Sequence, residues 1–291
     1  LLRGTGMGPA LRHMGAFGFG PEALPPNLTL ALGTGQVTPL DMARGFAVFA
    51  NGGWRITPYF VQSITDQHGK TVIAADPPLA CPDCNDPVPP DPLETRPTLD
   101  GDITEAALPD SPSQDAVASV PPEKRAPRAI SAANAYVMTD IMTDVIQRGT
   151  AQRAKELGRT DIAGKTGTTN DRRDAWFVGF NADITAAAWV GFDQERSLGE
   201  AEEGGRTALP MWIYFMQEAL RDKPEHRLPE PPGIVRMWVS RTSGAPSSAG
   251  SGGAIFEAFL EQYTPRTGES LYGAGVDAES VESQAGDESI F

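Results

Sequence analysis

The chain has 291 residues, of which 40% are hydrophobic, and a formal net charge of −14 at pH 7. This length allows one large domain or two small ones with cores of their own. The acidic balance argues against a nucleic-acid partner, and no apolar run reaches the roughly eighteen residues that a membrane-spanning helix needs.

The first predicted helix begins at Thr38. Thr38 suits the N-cap, Pro39 the first helical position and Asp41 the positive end of the helix dipole. Apolar side chains then recur at helical spacing as far as Phe49, and the pair Gly52-Gly53 ends the pattern. We therefore predict an amphipathic helix that starts and stops sharply.

Residues 55–65 predict a strand, which a turn over 66–70 connects to a return strand over 71–74. The segment 76–128 that follows differs in composition, because it holds thirteen of the 26 prolines and eleven acidic residues against four basic ones. Such a composition buries too little apolar surface to offset the loss of chain entropy. We interpret 76–128 as an acidic, Pro-rich insertion that is largely without regular structure.

This segment also holds the two cysteines, Cys81 and Cys84, spaced as Cys-x-x-Cys. A zinc ribbon needs a second pair, and the three histidines show no ligand spacing. We expect a local disulfide or two free thiols, with a metal site in a larger assembly as the less favoured alternative. No cofactor and no metal are predicted for this chain.

After the insertion, Ser131 suits the N-cap of a helix whose residues Val137, Ile141 and Val145 lie on one face. Further elements follow in the order of three strands, one helix and one strand: 162–168, 175–181, 184–192, 209–220 and 234–240. The second of these strands is apolar on both sides, so its sheet is expected to be covered on both faces. The predicted fold class is α+β, an antiparallel sheet flanked by helices.

The first of these strands ends in Lys165-Thr166-Gly167-Thr168-Thr169, the string with the clearest chemistry. A lysine beside hydroxyl groups at a strand edge would attract a carboxylate. Gly167 would let another backbone approach, and an extended peptide could add to the edge as a further strand. The plain alternative is a solvated strand end followed by a turn.

Several segments resemble class A penicillin-binding proteins, in which Lys-Thr-Gly is one of three active-site motifs. Residues 163–170 with 174–180 resemble the strand that carries this motif and its hairpin partner, and 189–193 resemble the next strand. Residues 32–53 look like the helix that follows the family's Ser-x-Asn loop, and 231–235 resemble the C-terminal extension of the 1A type. The resemblance covers most of residues 1–265.

The resemblance implies the fold of serine β-lactamases and transpeptidases, and a D,D-transpeptidase that cross-links peptidoglycan through an acyl-serine. Lys165, Thr166 and Thr168 would bind the terminal carboxylate of a stem peptide ending in D-Ala-D-Ala, or of a β-lactam antibiotic. Gly167 and Thr169 would complete this substrate-binding set. Lys165 and Thr168 are the catalytic candidates, because the Thr168 N–H would form one arm of an oxyanion hole.

The same resemblance divides the chain into five parts. Residues 1–75 and 129–222 would belong to the transpeptidase domain, separated by the insertion 76–128. Residues 223–265 would form the C-terminal extension, and 266–291 a disordered acidic tail.

Two motifs of the family are absent from this sequence. No serine is followed by lysine three positions later or by asparagine two positions later, so neither Ser-x-x-Lys nor Ser-x-Asn is present. Because the chain starts at Leu1 without an initiator methionine, we expect it to be cut from a longer protein and to be inactive alone. A β-lactamase, a D,D-carboxypeptidase and a catalytically dead scaffold are the alternatives.

The resemblance also places the parent protein. It would be anchored in the inner membrane by a segment upstream of this chain, with this domain in the periplasm and a glycosyltransferase domain preceding it. That compartment is oxidising, so it would permit a disulfide between Cys81 and Cys84.

Overall fold

The computed structural model describes residues 2–81, 84 and 120–266. These residues form two compact units that divide after Glu230. Residues 223–226 belong to the first unit and hydrogen-bond back to Arg159, Thr160 and Asp161, which precede the central sheet. Within the described ranges, no helix combines the length and the hydropathy needed to cross a bilayer.

The first unit combines helices with short antiparallel strands. Its helices are α1 (Leu2–Thr5), α2 (Met7–Ala16), α3 (Pro39–Ala50), α4 (Ala132–Gln147) and α5 (Ala208–Ala219). Its strands are β1 (Ser63–Thr65), β2 (Thr71–Ala74), β3 (Ala163–Thr168), β4 (Asp174–Phe180) and β5 (Thr185–Gly191). Short 3₁₀ turns lie at Pro21–Ala23, Leu28–Leu32, Pro122–Lys124, Gln152–Leu157 and Asn170–Arg172.

Helix α3 starts as the sequence predicts. The Thr38 hydroxyl accepts the Asp41 N–H at 3.1 Å, and the Asp41 carboxylate accepts the Thr38 N–H at 3.1 Å. This capping box satisfies two N–H groups that the first helical turn would otherwise leave without partners. The helix ends with a chain reversal in which the Gly53 N–H bonds to the Val48 carbonyl at 2.7 Å.

Strands β3, β4 and β5 form the central antiparallel sheet in that order. On one face, Phe177 of β4 packs against Trp212 of α5 with their ring centroids 4.9 Å apart. On the other face, Phe180 packs in a buried cluster with Ala50 of α3 and Met142 of α4. The predicted α+β architecture is therefore confirmed, with helices on both faces of the sheet.

One prediction about this unit is wrong, and another holds only in part. The strand predicted over 55–65 is limited to β1, which pairs with β2 alone, and every residue of this hairpin is exposed. Within the described part of the chain, residues 56–62 belong to no strand, although the Arg55 N–H bonds to the Pro127 carbonyl at 2.9 Å and the Gln62 carbonyl accepts the Ala75 N–H at 2.8 Å. In α4, Val145 of the predicted apolar face packs against the main core, but Ile141 is 50% exposed, and the buried residues are Ala135, Met142 and Ile146.

The ends of the insertion are more ordered than its composition suggests. The backbone of Leu79 bonds to Lys124 and Ala126 at 2.7 and 2.8 Å, which joins the two ends. A disulfide links Cys81 to Cys84, and both pack on the buried Trp54. The expectation of irregular structure otherwise concerns 82–83 and 85–119, and that of a disordered tail concerns 267–291, all outside the described residues.

A buried polar cluster holds the start of β3. The Asp161 carboxylate accepts two hydrogen bonds from the Arg159 guanidinium at 2.7 and 2.8 Å, one from Asn181 and one from the His226 N–H, both at 3.0 Å. Burial by itself would raise the pKa of Asp161. The hydrogen bonds to its carboxylate, of which those from Arg159 have the largest effect, outweigh burial and lower this pKa. Through Asp161, two residues before β3, the cluster connects the residue that follows β4 with the segment after α5.

The second unit contains an antiparallel ribbon of β6 (Ile234–Ser240) and β7 (Ala254–Leu260), followed by a 3₁₀ turn at Glu261–Tyr263. Strand β6 matches the prediction, whereas β7 was not predicted. Trp238 and Phe256 lie directly opposite each other, and their ring centroids are 5.2 Å apart. Cross-strand aromatic pairs of this kind stabilise a ribbon and fix its register.

Candidate functional site

The Lys-Thr-Gly string forms the C-terminal part of β3, which lies at an edge of the central sheet. Among the described residues, β3 pairs only with β4. The Thr169 N–H bonds to the Asp174 carbonyl, and Thr168 lies opposite Ala175. Because N–H groups along an antiparallel strand point alternately toward and away from its partner, the Thr168 N–H faces the open edge. This is the group that the sequence suggested for an oxyanion hole.

Lys165 is exposed at this edge. Its register partner is Val178, so its side chain leaves the strand on the face covered by α3 and α4. The ammonium group then turns to the edge, where it donates a hydrogen bond to the Thr166 carbonyl at 3.1 Å. A cation at an open strand edge is available to an incoming carboxylate.

Thr166 and Thr168 lie on the opposite face of the strand from Lys165, in register with Phe177 and Ala175. The hydroxyls are two residues apart on one side, and the strand is exposed there at Thr168. The sequence prediction placed the Lys165 ammonium group and the two hydroxyls in one site, but the pleat of the strand directs them to opposite faces of the sheet. The lysine side chain is long enough to return its ammonium group to the edge, where it bonds to the Thr166 carbonyl.

Both hydroxyls have a partner behind them. The Gly204 N–H, just before α5, donates to Thr168 Oγ1 at 3.0 Å. The Thr150 and Thr166 hydroxyl oxygens are 2.7 Å apart, a distance that requires a hydrogen bond between them. Neither Thr150 nor Gly204 was singled out from the sequence.

Glycines make these contacts possible. A side chain at Gly204 would overlap the carbonyl oxygens of Gly167 and Trp176, and one at Gly205 would lie 2.9 Å from the Thr150 carbonyl oxygen. The Gly-Gly pair therefore lies directly on the strand. Two adjacent glycines before a helix indicate that two backbones approach closely, so the pair Gly204-Gly205 could have marked this contact in the sequence.

Thr169 directly follows β3 and begins the turn that leads to Asp174, the first residue of β4. The Thr169 hydroxyl accepts the N–H groups of Arg173 and Asp174 at 3.1 and 2.8 Å. The Asp174 carboxylate accepts the indole N–H of Trp189 at 2.8 Å. The Thr169 side chain thus stabilises the turn, and its place in the substrate-binding set stays a prediction.

Taken together, the edge carries the Lys165 ammonium group, the Thr166 and Thr168 hydroxyls and the outward N–H of Thr168. All four can donate hydrogen bonds, and an ionised carboxylate only accepts them. Extended backbone at the same edge can pair with a peptide in the manner of an added strand. No cluster of His, Cys, Asp and Glu suited to a metal ion occurs within residues 2–81, 84 and 120–266.

Comparison with known proteins gives matches along most of the chain. A model of the penicillin-binding protein transpeptidase domain matches residues 21–204. Penicillin-binding protein 1A of Pseudomonas aeruginosa is 42% identical over 272 residues, which are 91% of this chain and 33% of that protein. Penicillin-binding protein 1A of Neisseria lactamica is 39% identical over 235 residues, 81% of this chain and 24% of that protein.

Among solved structures, penicillin-binding protein 1A from Haemophilus influenzae aligns with a TM-score of 0.74 and 35% sequence identity. The alignment covers 91% of this chain and 38% of that one. The chain thus spans about a quarter to a third of the length of the curated relatives named above.

Proposed function

We propose, from the premise that this chain belongs to the penicillin-binding protein transpeptidase family, that it supplies the substrate-binding edge of a peptidoglycan D,D-transpeptidase. Its ligand would be the carboxyl end of a stem peptide ending in D-Ala-D-Ala, or a β-lactam that resembles it. The observation that carries the proposal is the open edge of β3, where the Lys165 ammonium group and two threonine hydroxyls can donate hydrogen bonds to a carboxylate.

The geometry suits an extended peptide. Its backbone would pair with the outward groups of β3, and its terminal carboxylate would lie beside Lys165 and accept from Thr166 and Thr168. The penultimate carbonyl oxygen would then approach the Thr168 N–H. A donor fixed by the sheet needs no reorganisation when negative charge develops on that oxygen.

In the proposed reaction, a serine hydroxyl attacks the carbonyl carbon of the penultimate D-Ala. The bond to the terminal D-Ala breaks, and that residue leaves as a free amine after taking up a proton. An amine of a second stem peptide then attacks the resulting ester, which forms the cross-link and returns the serine. We propose that this serine lies outside the 291 residues, since no Ser-x-x-Lys string occurs among them.

We also propose that the parent protein is a bifunctional synthase with a glycosyltransferase domain, anchored in the inner membrane with this domain in the periplasm. The names of the relatives, all penicillin-binding protein 1A, and their greater length support this. The disulfide between Cys81 and Cys84 is compatible with an oxidising compartment.

The test uses the complete gene product that contains this chain and a fluorescent penicillin. Unsubstituted protein is expected to become covalently labelled. Lys165→Met, which keeps the length of the side chain but removes its charge, is expected to slow labelling about ten- to a hundredfold, since a hydrogen bond to a charged group is lost. Lys70→Met, in the exposed hairpin turn between β1 and β2, is the matched control.

Two results would contradict the proposal. Labelling of Lys165→Met at the unsubstituted rate would remove the lysine from the binding site. Labelling of the 291-residue chain by itself would show that the nucleophile lies within it. Release of D-Ala from a peptide ending in D-Ala-D-Ala, measured in the same proteins, extends the test from the antibiotic to the proposed substrate.

A further inference from the structure

We infer that Thr150 is a positioning residue for the carboxylate site, which it serves by fixing the direction of the Thr166 hydroxyl. The inference rests on the proposed function and extends it to a residue outside the Lys-Thr-Gly string. Thr150 lies sixteen residues before Thr166 in the sequence, beyond the end of α4, and touches the site through one hydrogen bond.

The hydrogen-bond roles at Thr168 are unambiguous. A threonine hydroxyl donates one hydrogen bond and accepts up to two. Thr168 Oγ1 accepts the Gly204 N–H at 3.0 Å, and a backbone N–H has no other role available to it. The proton of Thr168 is therefore free to be donated to a ligand at the exposed edge.

The Thr166 hydroxyl is paired with another hydroxyl, that of Thr150. In a pair of hydroxyls 2.7 Å apart, one proton is used between the two oxygens and the other is free. An ionised carboxylate accepts only, so its presence favours the arrangement in which Thr150 donates to Thr166 and Thr166 donates to the ligand. Each ligand-facing hydroxyl then has a donor behind it, and linked hydrogen bonds of this kind strengthen one another.

Packing fixes this arrangement in place. Gly205 lies against the Thr150 carbonyl oxygen, and a side chain added there would come within 3.8 Å of the Thr166 methyl group. The Gly204-Gly205 pair thus holds the turn with Thr150 and the strand with Thr166 and Thr168 together. Gly204 itself is buried, so its N–H is shielded from competing water.

The consequence is selectivity for an anion over a neutral group. A C-terminal amide or ester would place a donor or an uncharged oxygen against two oriented donors and an ammonium group. Without the Thr150 hydroxyl, Thr166 would be free to rotate, and part of this discrimination would be lost. The overall shape of the site would stay the same.

The experiment compares acylation of the complete gene product by a fluorescent penicillin and by the methyl ester of its carboxylate. Thr150→Val is expected to lower the acid-to-ester ratio of rate constants about three- to tenfold, the effect of one hydrogen bond. Thr150→Ser, which retains the hydroxyl, is expected to restore it. Thr185→Val, at the start of β5 and away from the edge, is the matched control.

Three results would overturn the inference. If the unsubstituted protein is not labelled, the proposed function and the inference fall together. If it is labelled and prefers the acid while Thr150→Val has the same ratio, the inference alone is wrong. The inference also fails if Thr150→Ser behaves like Thr150→Val, because side-chain shape rather than the hydroxyl would then matter.

A measurement without ligand tests the positioning directly. Three-bond couplings from the Thr166 methyl carbon to the backbone nitrogen and carbonyl carbon report its χ1 rotamer in the 291-residue chain. We expect one rotamer in the unsubstituted chain and in Thr150→Ser, and averaged couplings in Thr150→Val. Unchanged couplings in Thr150→Val would contradict a positioning role.

Discussion

Replacing Asp161 by Asn is the most informative test of how this fold holds its binding strand. The Asp161 side chain is fully buried and accepts four hydrogen bonds, two of them from Arg159, whose side chain is 12% exposed. Asparagine has the same shape, but it offers one acceptor oxygen and places an NH₂ group against an N–H donor. It also leaves a buried guanidinium without its counter-charge.

The expected loss of stability follows from these contacts. Breaking a buried ion pair by removing one partner costs about 3–5 kcal/mol. We expect the lower end, about 3 kcal/mol, because Arg159 keeps its bonds to the carbonyl groups of Lys223 and Pro224. With a urea dependence of about 2–3 kcal/mol per M, the unfolding midpoint should fall by about 1 M.

Tryptophan fluorescence in a urea titration measures this midpoint. Glu156→Gln is the control, since it removes the partner of Arg153 in an exposed pair and should change stability by less than about 0.5 kcal/mol. If Asp161→Asn unfolds as late as Glu156→Gln does, the cluster does not hold the strand.

The same variant makes a prediction about pH. The folded-state pKa of Asp161 lies below its ordinary value of about 3.9. Its contribution to stability is therefore complete above that value and is lost as the pH falls through the lower folded-state pKa. The midpoint difference between the unsubstituted chain and Asp161→Asn should be equal at pH 7 and pH 5 and should shrink below about pH 4. A difference that persists or grows toward pH 3 would refute the assignment.

Two further predictions concern local structure. Thr38→Ala removes the hydroxyl that accepts the Asp41 N–H at the start of α3, and it should destabilise the first unit by about 1 kcal/mol in the same urea titration. An unchanged unfolding midpoint would mean that water replaces this cap. Gly179→Ala would place a methyl carbon 2.6 Å from the buried Trp212 ring, which should cost about 1–3 kcal/mol of stability and alter the near-ultraviolet circular dichroism spectrum. The control Gly15→Ala, whose added methyl group meets nothing within 4 Å, should change neither. Equal behaviour of the two variants would refute the close packing at Gly179.

The starts and ends of the main elements were predictable because their causes are local. The capping box at Thr38 and Asp41, the strand bounds from Ala163 to Gly191 and helix α5 all lie within about one residue of their predicted positions. Caps, turn residues and hydrophobic periodicity act over fewer than about ten residues, so the sequence displays them directly.

The site was predictable only in part. The Lys-Thr-Gly string marked its strand, but no local pattern shows that Thr150 and Gly204, sixteen and 36 residues away from their partners, supply the hydrogen bonds behind the two hydroxyls. The pleat also places Lys165 on the other face of the strand from Thr166 and Thr168, so the assembly of the three depends on an open edge.

By itself, the sequence determined which residues form helices and strands, the family to which they point and the chemical groups that could bind a carboxylate. The tertiary structure decided which face of α4 is buried, that the strand β1 is confined to Ser63–Thr65, and which backbone groups of β3 face away from β4. These features depend on contacts between segments far apart in the chain. The hydrophobic pattern of one segment does not indicate which other segment packs against it.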